Sequence, residues 1–201
     1  MAKNNLPISI SLGNSKMGAV PSWSLTPGVT CSPEACKTCF VGGCYAKKLY
    51  KLRPTVRNAY DRNTKFVMEN LPEFIRIMDL WLQLNEPRRF RVHVSGDFFS
   101  REYAEAWIEI ANRNPGTVFL AFTKQFAIVD GLKFPENFKL YLSGWPGMEI
   151  PEHLRKQYHT AWMQDGTETR IPEGCHECPG NCNTCKKFCW DGDGDTYFHK
   201  H

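Results

Sequence analysis

The stretch that decides the fold is RFRVHVSGDFFS, residues 89–100, because its pattern changes from strand to turn to helix start within one run. Polar and apolar residues alternate as far as Val94, which predicts a strand. Gly96 and Asp97 then predict a tight turn, and Ser100 is suited to cap a helix that follows. A strand that leads into a helix is part of a βαβ unit, in which consecutive strands run parallel.

The rest of the chain continues this alternation of strands and helices. Apolar spacing predicts helix from Val56 to Leu84 with a break at Leu71-Pro72, and a second helix after Ser100. Short apolar runs predict further strands at residues 6–12, 117–124, 138–144 and 158–163. A full eight-stranded barrel usually needs about 250 residues. We therefore expect an α/β fold with a partial (β/α) barrel or an open, mostly parallel sheet.

The composition indicates a folded protein of the cell interior. Hydrophobic residues make up 42% of the 201 residues, which is enough for a packed core. No apolar run approaches the roughly 20 residues that a membrane helix needs. The first residues also lack the charged and apolar stretches of a secretion signal. We expect a cytoplasmic protein with no membrane partner, whose thiols stay reduced.

Parallel sheets bind their ligands at the carboxyl ends of the strands. The predicted strand ends carry polar groups at Ser95 and Asp97, at Thr123 and Lys124, and at Ser143. Asp97 is a candidate cofactor-binding residue, and Lys124 is a candidate contact for an anion or substrate. The alternatives are a turn residue for Asp97 and a surface lysine for Lys124.

All nine cysteines fall into two groups. The first group is Cys31-x4-Cys36-x2-Cys39-x4-Cys44, in a loop that contains glycine. Four thiolates at short spacing can wrap a [4Fe–4S] cluster, because neighbouring sulfurs reach different irons. Structural zinc sites usually use two separated Cys-x2-Cys pairs, and this group has one. The spacing favours iron–sulfur over zinc, and both over thiols without metal.

The second group contains Cys175, Cys178, Cys182, Cys185 and Cys189, which are five candidates for four ligand positions. It includes two Cys-x2-Cys pairs, so zinc is a stronger alternative here than in the first group. The surrounding segment is rich in Cys, Gly and Asp and has too few apolar residues for a core of its own. We predict an α/β domain at residues 1–172 and a metal-binding segment at residues 173–201.

A basic run follows the first cysteine group. Residues 47–65 hold seven Lys or Arg and one Asp, a local charge of +6 in a chain whose net charge is +4. Such a run predicts a nucleic-acid surface, an anion site or a solvated helix face. Tyr50 and Tyr60 lie within it, either as stacking platforms for bases or as residues of the core.

Four strings in the chain resemble the phage and mobile-element "gene product eighty-eight" domain family. They are CKTCFVGGCYAKK (36–48), HVSGDFFSREYAEAWIEIA (93–111), FLAFTK (119–124) and CKKFCWD (185–191). The resemblance runs from about residue 12 to residue 201. The family's architecture is similar to a shortened radical S-adenosylmethionine (SAM) enzyme, with a cluster loop after the first strand. The resemblance implies that Gly96 and Asp97 occupy the turn that holds the SAM amino group.

The chain departs from the radical SAM pattern at the cluster loop. Radical SAM enzymes use Cys-x3-Cys-x2-Cys, which leaves one iron open for SAM, whereas here the first spacer is longer and Cys44 lies within reach. We expect all four cysteines of the first group to bind one [4Fe–4S] cluster. Because full protein ligation leaves no open iron position, we expect no SAM binding. The match at the tail implies a second cluster on four cysteines, with Cys175 left over. Those four are Cys178, Cys182, Cys185 and Cys189.

These observations predict an iron–sulfur protein with a redox, electron-transfer or structural role and an electron-transfer partner that the sequence does not identify. Two alternatives stay open. One is a true radical SAM enzyme in which Cys44 is not a ligand. The other is a zinc-stabilised module that binds nucleic acid through Lys47–Lys65.

Overall fold

The computed structural model of the chain describes residues 6–40 and 43–200. Its centre is an open sheet of seven strands in which every neighbouring pair is parallel, in the order β1-β2-β3-β4-β5-β7-β6. The strands are β1 (Ser22–Trp23), β2 (Arg89–Val92), β3 (Val118–Thr123), β4 (Phe138–Gly144), β5 (His159–Gln164), β6 (His176–Glu177) and β7 (Thr196–His199). The predicted α/β class and parallel sheet are confirmed.

The helices connect the strands or lie within the loops between them. They are α1 (Pro33–Ala35), a π-helical turn (Cys36–Phe40), α2 (Tyr45–Leu52), α3 (Pro54–Glu69), α4 (Leu71–Asn85), α5 (Arg101–Arg113), α6 (Phe126–Val129), α7 (Glu152–Gln157) and α8 (Phe188–Asp191). The predicted break in the long helical region falls at Asn70, and the Ser100 hydroxyl caps α5 by accepting the Tyr103 N–H at 3.2 Å. Across the described residues, no helix combines the length and apolar character of a membrane span.

The main core lies between the sheet and the long helices. From β1 to β5 each strand lies beside the strand before it, so the connections all step in one direction. Right-handed connections of this kind put their helices on one face of the sheet. Phe74 of α4 and Trp107 of α5 are fully buried there against Phe90 and Phe119 of the strands.

The opposite face of the sheet is covered by the cysteine-rich tail and by an early loop. Met17 and Val20 of the loop and Trp190 of α8 pack with Leu120 and Tyr141 of the strands. The tail also adds β6 and β7, and β7 pairs with β5. The predicted boundary at residue 172 stays a prediction, and the segment beyond it belongs to the same sheet.

Two predicted strand assignments need correction. The predicted strand at residues 6–12 is wrong: Ser11 forms only an isolated antiparallel bridge with Ser22. The Asn63 side chain of α3 takes the place of a strand partner, bonding the Ser9 N–H at 2.7 Å and the Ser9 carbonyl at 2.8 Å. The strand in residues 89–100 ends at Val92, because His93 adopts a left-handed backbone conformation with φ 62°.

Candidate metal centres

The first cysteine group lies in the loop after β1, at the carboxyl end of the sheet. Helix α3 anchors the start of this loop. Thr26 donates its backbone N–H to the Thr64 hydroxyl at 2.8 Å and its own hydroxyl to Asp61 at 2.7 Å. The anchor fixes the chain five residues before Cys31, the first thiol of the group.

Asp97 ties the same loop to the end of β3. Its Oδ1 accepts hydrogen bonds from the Thr123 hydroxyl at 2.7 Å and from the Phe98 N–H at 2.8 Å. Its Oδ2 accepts the Lys124 N–H at 2.7 Å, and its own N–H donates to the Thr30 hydroxyl at 3.2 Å. Burial raises the pKa of this carboxyl to about 6, against the lowering effect of its donors. Asp97 is therefore an internal brace of the turn, and its contact with a cofactor stays a prediction.

Gly96 allows the turn after β2 to pass closely under the cluster loop. Its φ is +82°, and an added Cβ would lie 2.5 Å from the Thr30 hydroxyl and 2.7 Å from the Leu25 Cβ. Both features exclude a side chain at this position. Gly96 brings two segments together, and its predicted role in binding a cofactor stays a prediction.

The four thiols of the first group lie close enough to influence one another's charge. Burial raises the pKa of Cys31 to about 11, and nearby Cys36 and Cys44 raise it further. The Gly28 N–H donates to the Cys31 sulfur at 3.3 Å and opposes this rise. Cys39 lies within charge range of both Cys31 and Cys44. The structure thus brings together the four cysteines that the spacing groups.

The neighbours of Cys44 lower the pKa of its thiol. The Cys39 thiol donates a hydrogen bond to its sulfur, which holds the proton on Cys39 and lowers the pKa of Cys44 to about 6. Cys44 precedes the first residue of α2, where the backbone amides of Lys47 and Ala46 lower its pKa further. Cys44 therefore lies beside Cys39, and its role as the fourth ligand stays a prediction.

Lys124 supplies positive charge to the same group. Its ammonium lies 5.1 Å from the ring centre of Trp145, and its charge lowers the pKa of both Cys39 and Cys44. Lys124 therefore acts on the sulfurs of Cys39 and Cys44, and its predicted contact with an anion or substrate stays a prediction.

The second thiol group lies over the opposite face of the sheet. Cys182 is within charge range of Cys178 and Cys185, and Cys189 is within charge range of all three. Burial raises the pKa of Cys189 to about 12. Cys182 and Cys189 also pack against the buried residues of that face. These are the four cysteines of the predicted second set.

Cys175 stands apart from the second group. Burial raises its pKa to about 11, and the charge that acts on it comes from Asp195, not from another cysteine. It follows the turn that leads into β6, at the far edge of the sheet. That Cys175 is the cysteine left over stays a prediction.

The two groups are sets of neighbouring thiols, not preformed sites for one ion. Within residues 6–40 and 43–200, no three or more His, Cys, Asp or Glu side chains are arranged to hold a single metal ion. A cubane cluster needs a wider arrangement, because each thiolate binds a different iron. Thiolate donors suit iron–sulfur clusters, and the buried Nε of Arg91 lacks a hydrogen-bond partner near the second group. The donor set and this unpaired cation fit an anionic cluster.

Comparison with known proteins places the chain in a family. The family described as Gene product 88 matches residues 2–169. The chain belongs to this family. The match includes the first cysteine group and stops before the second, so the resemblance expected as far as residue 201 is matched to residue 169 only.

Two Gene product 88 relatives come from mycobacteriophages. The "Gene 88 protein" of Mycobacterium phage L5 is 31% identical over an alignment of 149 residues, and the match covers 67% of this chain and 61% of that protein. The "Gene 88 protein" of Mycobacterium phage D29 is 29% identical over 149 residues, covering 67% of this chain and 60% of that protein. The aligned part of the chain thus spans about three fifths of each relative. No solved structure matches the chain.

The basic run of this Gene product 88 protein forms α2 and the first turns of α3. Six of its basic residues are exposed and, among the described residues, form no ion pair. Four of them lie within one ten-residue stretch, namely Lys48, Lys51, Arg53 and Arg57. The Tyr50 hydroxyl instead bonds both oxygens of Asp61, at 2.8 and 2.9 Å. Tyr60 is half-buried. The basic side chains are therefore available to a binding partner, whereas the Tyr50 hydroxyl is already hydrogen-bonded to Asp61.

Sequence reasoning missed three residues that shape the sites. Thr30 receives the Asp97 N–H, Gly28 donates to the Cys31 sulfur, and the buried Nε of Arg91 has no hydrogen-bond partner. Arg91 lies at an ordinary polar position of an alternating strand, so its sequence context does not distinguish it from a solvent-exposed residue. For Gly28 and Thr30, closeness to Cys31 was the only available signal.

Proposed function

We propose that this Gene product 88 protein binds a [4Fe–4S] cluster at each thiol group, with the first cluster fully ligated by cysteine, and that it acts in one-electron transfer or redox sensing. The observation that carries the proposal is the position of Cys44 in the same group as Cys31, Cys36 and Cys39. Four protein ligands leave no open iron position for a substrate.

The proposed scaffold is a shortened radical-SAM-like (β/α) fold. Three features support it: the strand order follows the chain from β1 to β5, the cluster loop follows β1, and the Gly96-Asp97 turn follows β2. Both carboxylate oxygens of Asp97 accept hydrogen bonds from donors within the protein. At the turn that would hold a SAM amino group, the Asp97 carboxylate therefore already has hydrogen-bond partners that fix the loop.

The residues around the first group have distinct tasks in this proposal. A bound cluster supplies one-electron chemistry. Gly28 donates its N–H to the Cys31 sulfur, and Lys124 offsets the negative charge of the thiolates. Both interactions favour the more negative, reduced state, so they raise the reduction potential of the site.

Added SAM tests the closed cluster directly. We expect SAM to leave the electron paramagnetic resonance (EPR) spectrum of the dithionite-reduced protein unchanged, and no 5′-deoxyadenosine to form, because no iron is open to chelate it. A Cys44→Ala variant removes the fourth ligand, and any of this variant that keeps iron and sulfide is the matched control in which SAM can reach an open iron. A SAM-dependent spectrum in the wild-type protein, or release of 5′-deoxyadenosine from it, would replace this proposal with a radical SAM enzyme.

Nucleic acid is a second candidate partner, favoured by the exposed basic residues of α2 and α3. If single-stranded nucleic acid contacts Lys48, Lys51, Arg53 and Arg57, the logarithm of its affinity should fall against the logarithm of salt concentration with a slope of about −3. Fluorescence anisotropy with a labelled oligonucleotide at several salt concentrations measures this slope.

Charge-neutral variants show whether the slope belongs to this surface. Changing all four residues to Gln should reduce the slope to near zero. The control changes four exposed basic residues elsewhere to Gln, namely Arg76, Lys133, Lys156 and Lys200, and should keep most of it. A flat salt response of the wild-type protein, or equal loss in both variants, would remove nucleic acid as a partner of this surface.

A further inference from the structure

Arg91 is a half-buried cation of β2 whose Nε atom is buried. It lies on β2 between Ser22 of β1 and Leu120 of β3. Its guanidinium stacks over the Phe122 ring, 3.9 Å from the ring centre, and its Nε is buried without a hydrogen-bond partner. An unpaired buried donor on a charged group is costly. An anion bound beside Arg91 would give this donor a partner and remove that cost.

The second thiol group lies on one side of Arg91. Cys182 and Cys189 pack against the buried cluster of residues that Phe122 also contacts. Burial lowers the pKa of Arg91 to about 10, and the charges of Cys189 and Cys182 oppose that change. Four thiolates around an oxidised [4Fe–4S] cluster would carry a net negative charge, so a cluster at this group would supply the anion.

The first thiol group connects to the same set of residues through Tyr45. Tyr45 follows Cys44 directly and donates its hydroxyl to the Val94 carbonyl. Val94 packs against the same buried residues as Phe122, Cys182 and Cys189. A continuous set of packed residues thus runs from one thiol group to the other.

We propose that Arg91, with Phe122, Val94 and Tyr45, joins the two thiol groups into a single redox unit in which Arg91 is the shared positioning cation. The inference rests on the proposed function, since it requires a cluster at each group. One electron, supplied by an external one-electron donor, would pass between the groups: the cluster that loses it is oxidised by one unit and the other is reduced by one unit. No bond breaks, and no proton moves.

Reduction potentials test the role of Arg91. Arg91→Met removes the charge but keeps a long side chain, whereas Arg91→Lys keeps the charge and loses the planar stack on Phe122. A nearby cation favours the reduced form, so Arg91→Met should move the reduction equilibrium of the tail cluster at least tenfold toward the oxidised form, about 59 mV for a one-electron couple. Arg91→Lys should move it less than threefold. Equal potentials in wild type and Arg91→Met would overturn the role of Arg91.

Spin coupling tests the single redox unit without altering Arg91. When dithionite reduces both clusters of the wild-type protein, their EPR signals should be broadened by spin–spin interaction. Cys39→Ala, which keeps only the tail cluster, and Cys182→Ala, which keeps only the first, should each give an unbroadened signal. A wild-type spectrum equal to the sum of these two would overturn the inference.

Iron and sulfide content of the same samples separates the two ways to fail. Wild-type protein that carries both clusters but gives additive spectra contradicts this inference alone. Wild-type protein without iron and sulfide contradicts the proposed function beneath it. If the Arg91→Met protein does not bind the tail cluster, its potential cannot be compared, and the EPR spectrum of the wild-type protein decides whether the two groups form one redox unit.

Discussion

Cys178→Ala is expected to lose about half of the bound iron and sulfide, whereas Cys175→Ala keeps all of it. Cys178 lies within charge range of Cys182 and Cys189, while the charge that acts on Cys175 comes from Asp195. Removing one ligand of a four-thiolate cluster usually releases the cluster, which is about four of about eight irons per chain. Colorimetric iron and sulfide assays on anaerobically purified variants measure the difference.

The same pair of variants should differ in stability. Metal binding in small cysteine-rich segments contributes directly to folding free energy. Cys182 and Cys189 hold the tail against the sheet face, and β7 pairs with β5. Cys178→Ala should therefore unfold at a clearly lower temperature than Cys175→Ala. If Cys175→Ala lost as much iron as Cys178→Ala, the assignment of the four ligands would be wrong.

Gly96→Ala is expected to destabilise the fold by about 3 kcal/mol. The added Cβ would overlap the Thr30 hydroxyl at 2.5 Å and the Leu25 Cβ at 2.7 Å, at a φ of +82° that disfavours side chains. Because Thr30 precedes Cys31, the shift should also displace the first thiol group and lower its share of the iron. Chemical denaturation gives the free energy of unfolding, and the iron assay gives the loading.

Two glycines provide matched controls for this substitution. Gly131 has a φ of +71° but nothing within 4 Å of an added Cβ, so Gly131→Ala isolates the backbone strain, at about 1 kcal/mol. Gly116 has open space and no positive φ, so Gly116→Ala should be nearly neutral. A Gly96→Ala protein no less stable than Gly131→Ala would show that the loop and the turn are not in close contact.

The sheet was predictable because burial imposes a local pattern on its strands. The run at residues 138–144 is apolar enough to mark a strand by itself, and β4 has those bounds. The predicted strand at residues 6–12 is wrong because a distant side chain, Asn63, satisfies the backbone of Ser9. The early end of β2 depends on the left-handed conformation of His93. This conformation is uncommon for residues other than glycine, so the sequence does not predict it here.

The candidate sites were predictable where sequence neighbours supply the ligands. Short spacers keep Cys36, Cys39 and Cys44 together however the rest of the chain folds. Asp97 was different, because its partners Thr30 and Thr123 come from other parts of the chain. The position of Arg91 beside the tail thiols likewise depends on a contact across about half of the sequence, which no local pattern encodes.

The content of iron, acid-labile sulfide and zinc per chain, measured on protein purified without oxygen, tests the central claim most directly. Two closed clusters predict about eight irons and about eight sulfides per chain with no zinc, in a brown sample. A folded, colourless protein that contains zinc, or no metal at all, and no sulfide would contradict the claim.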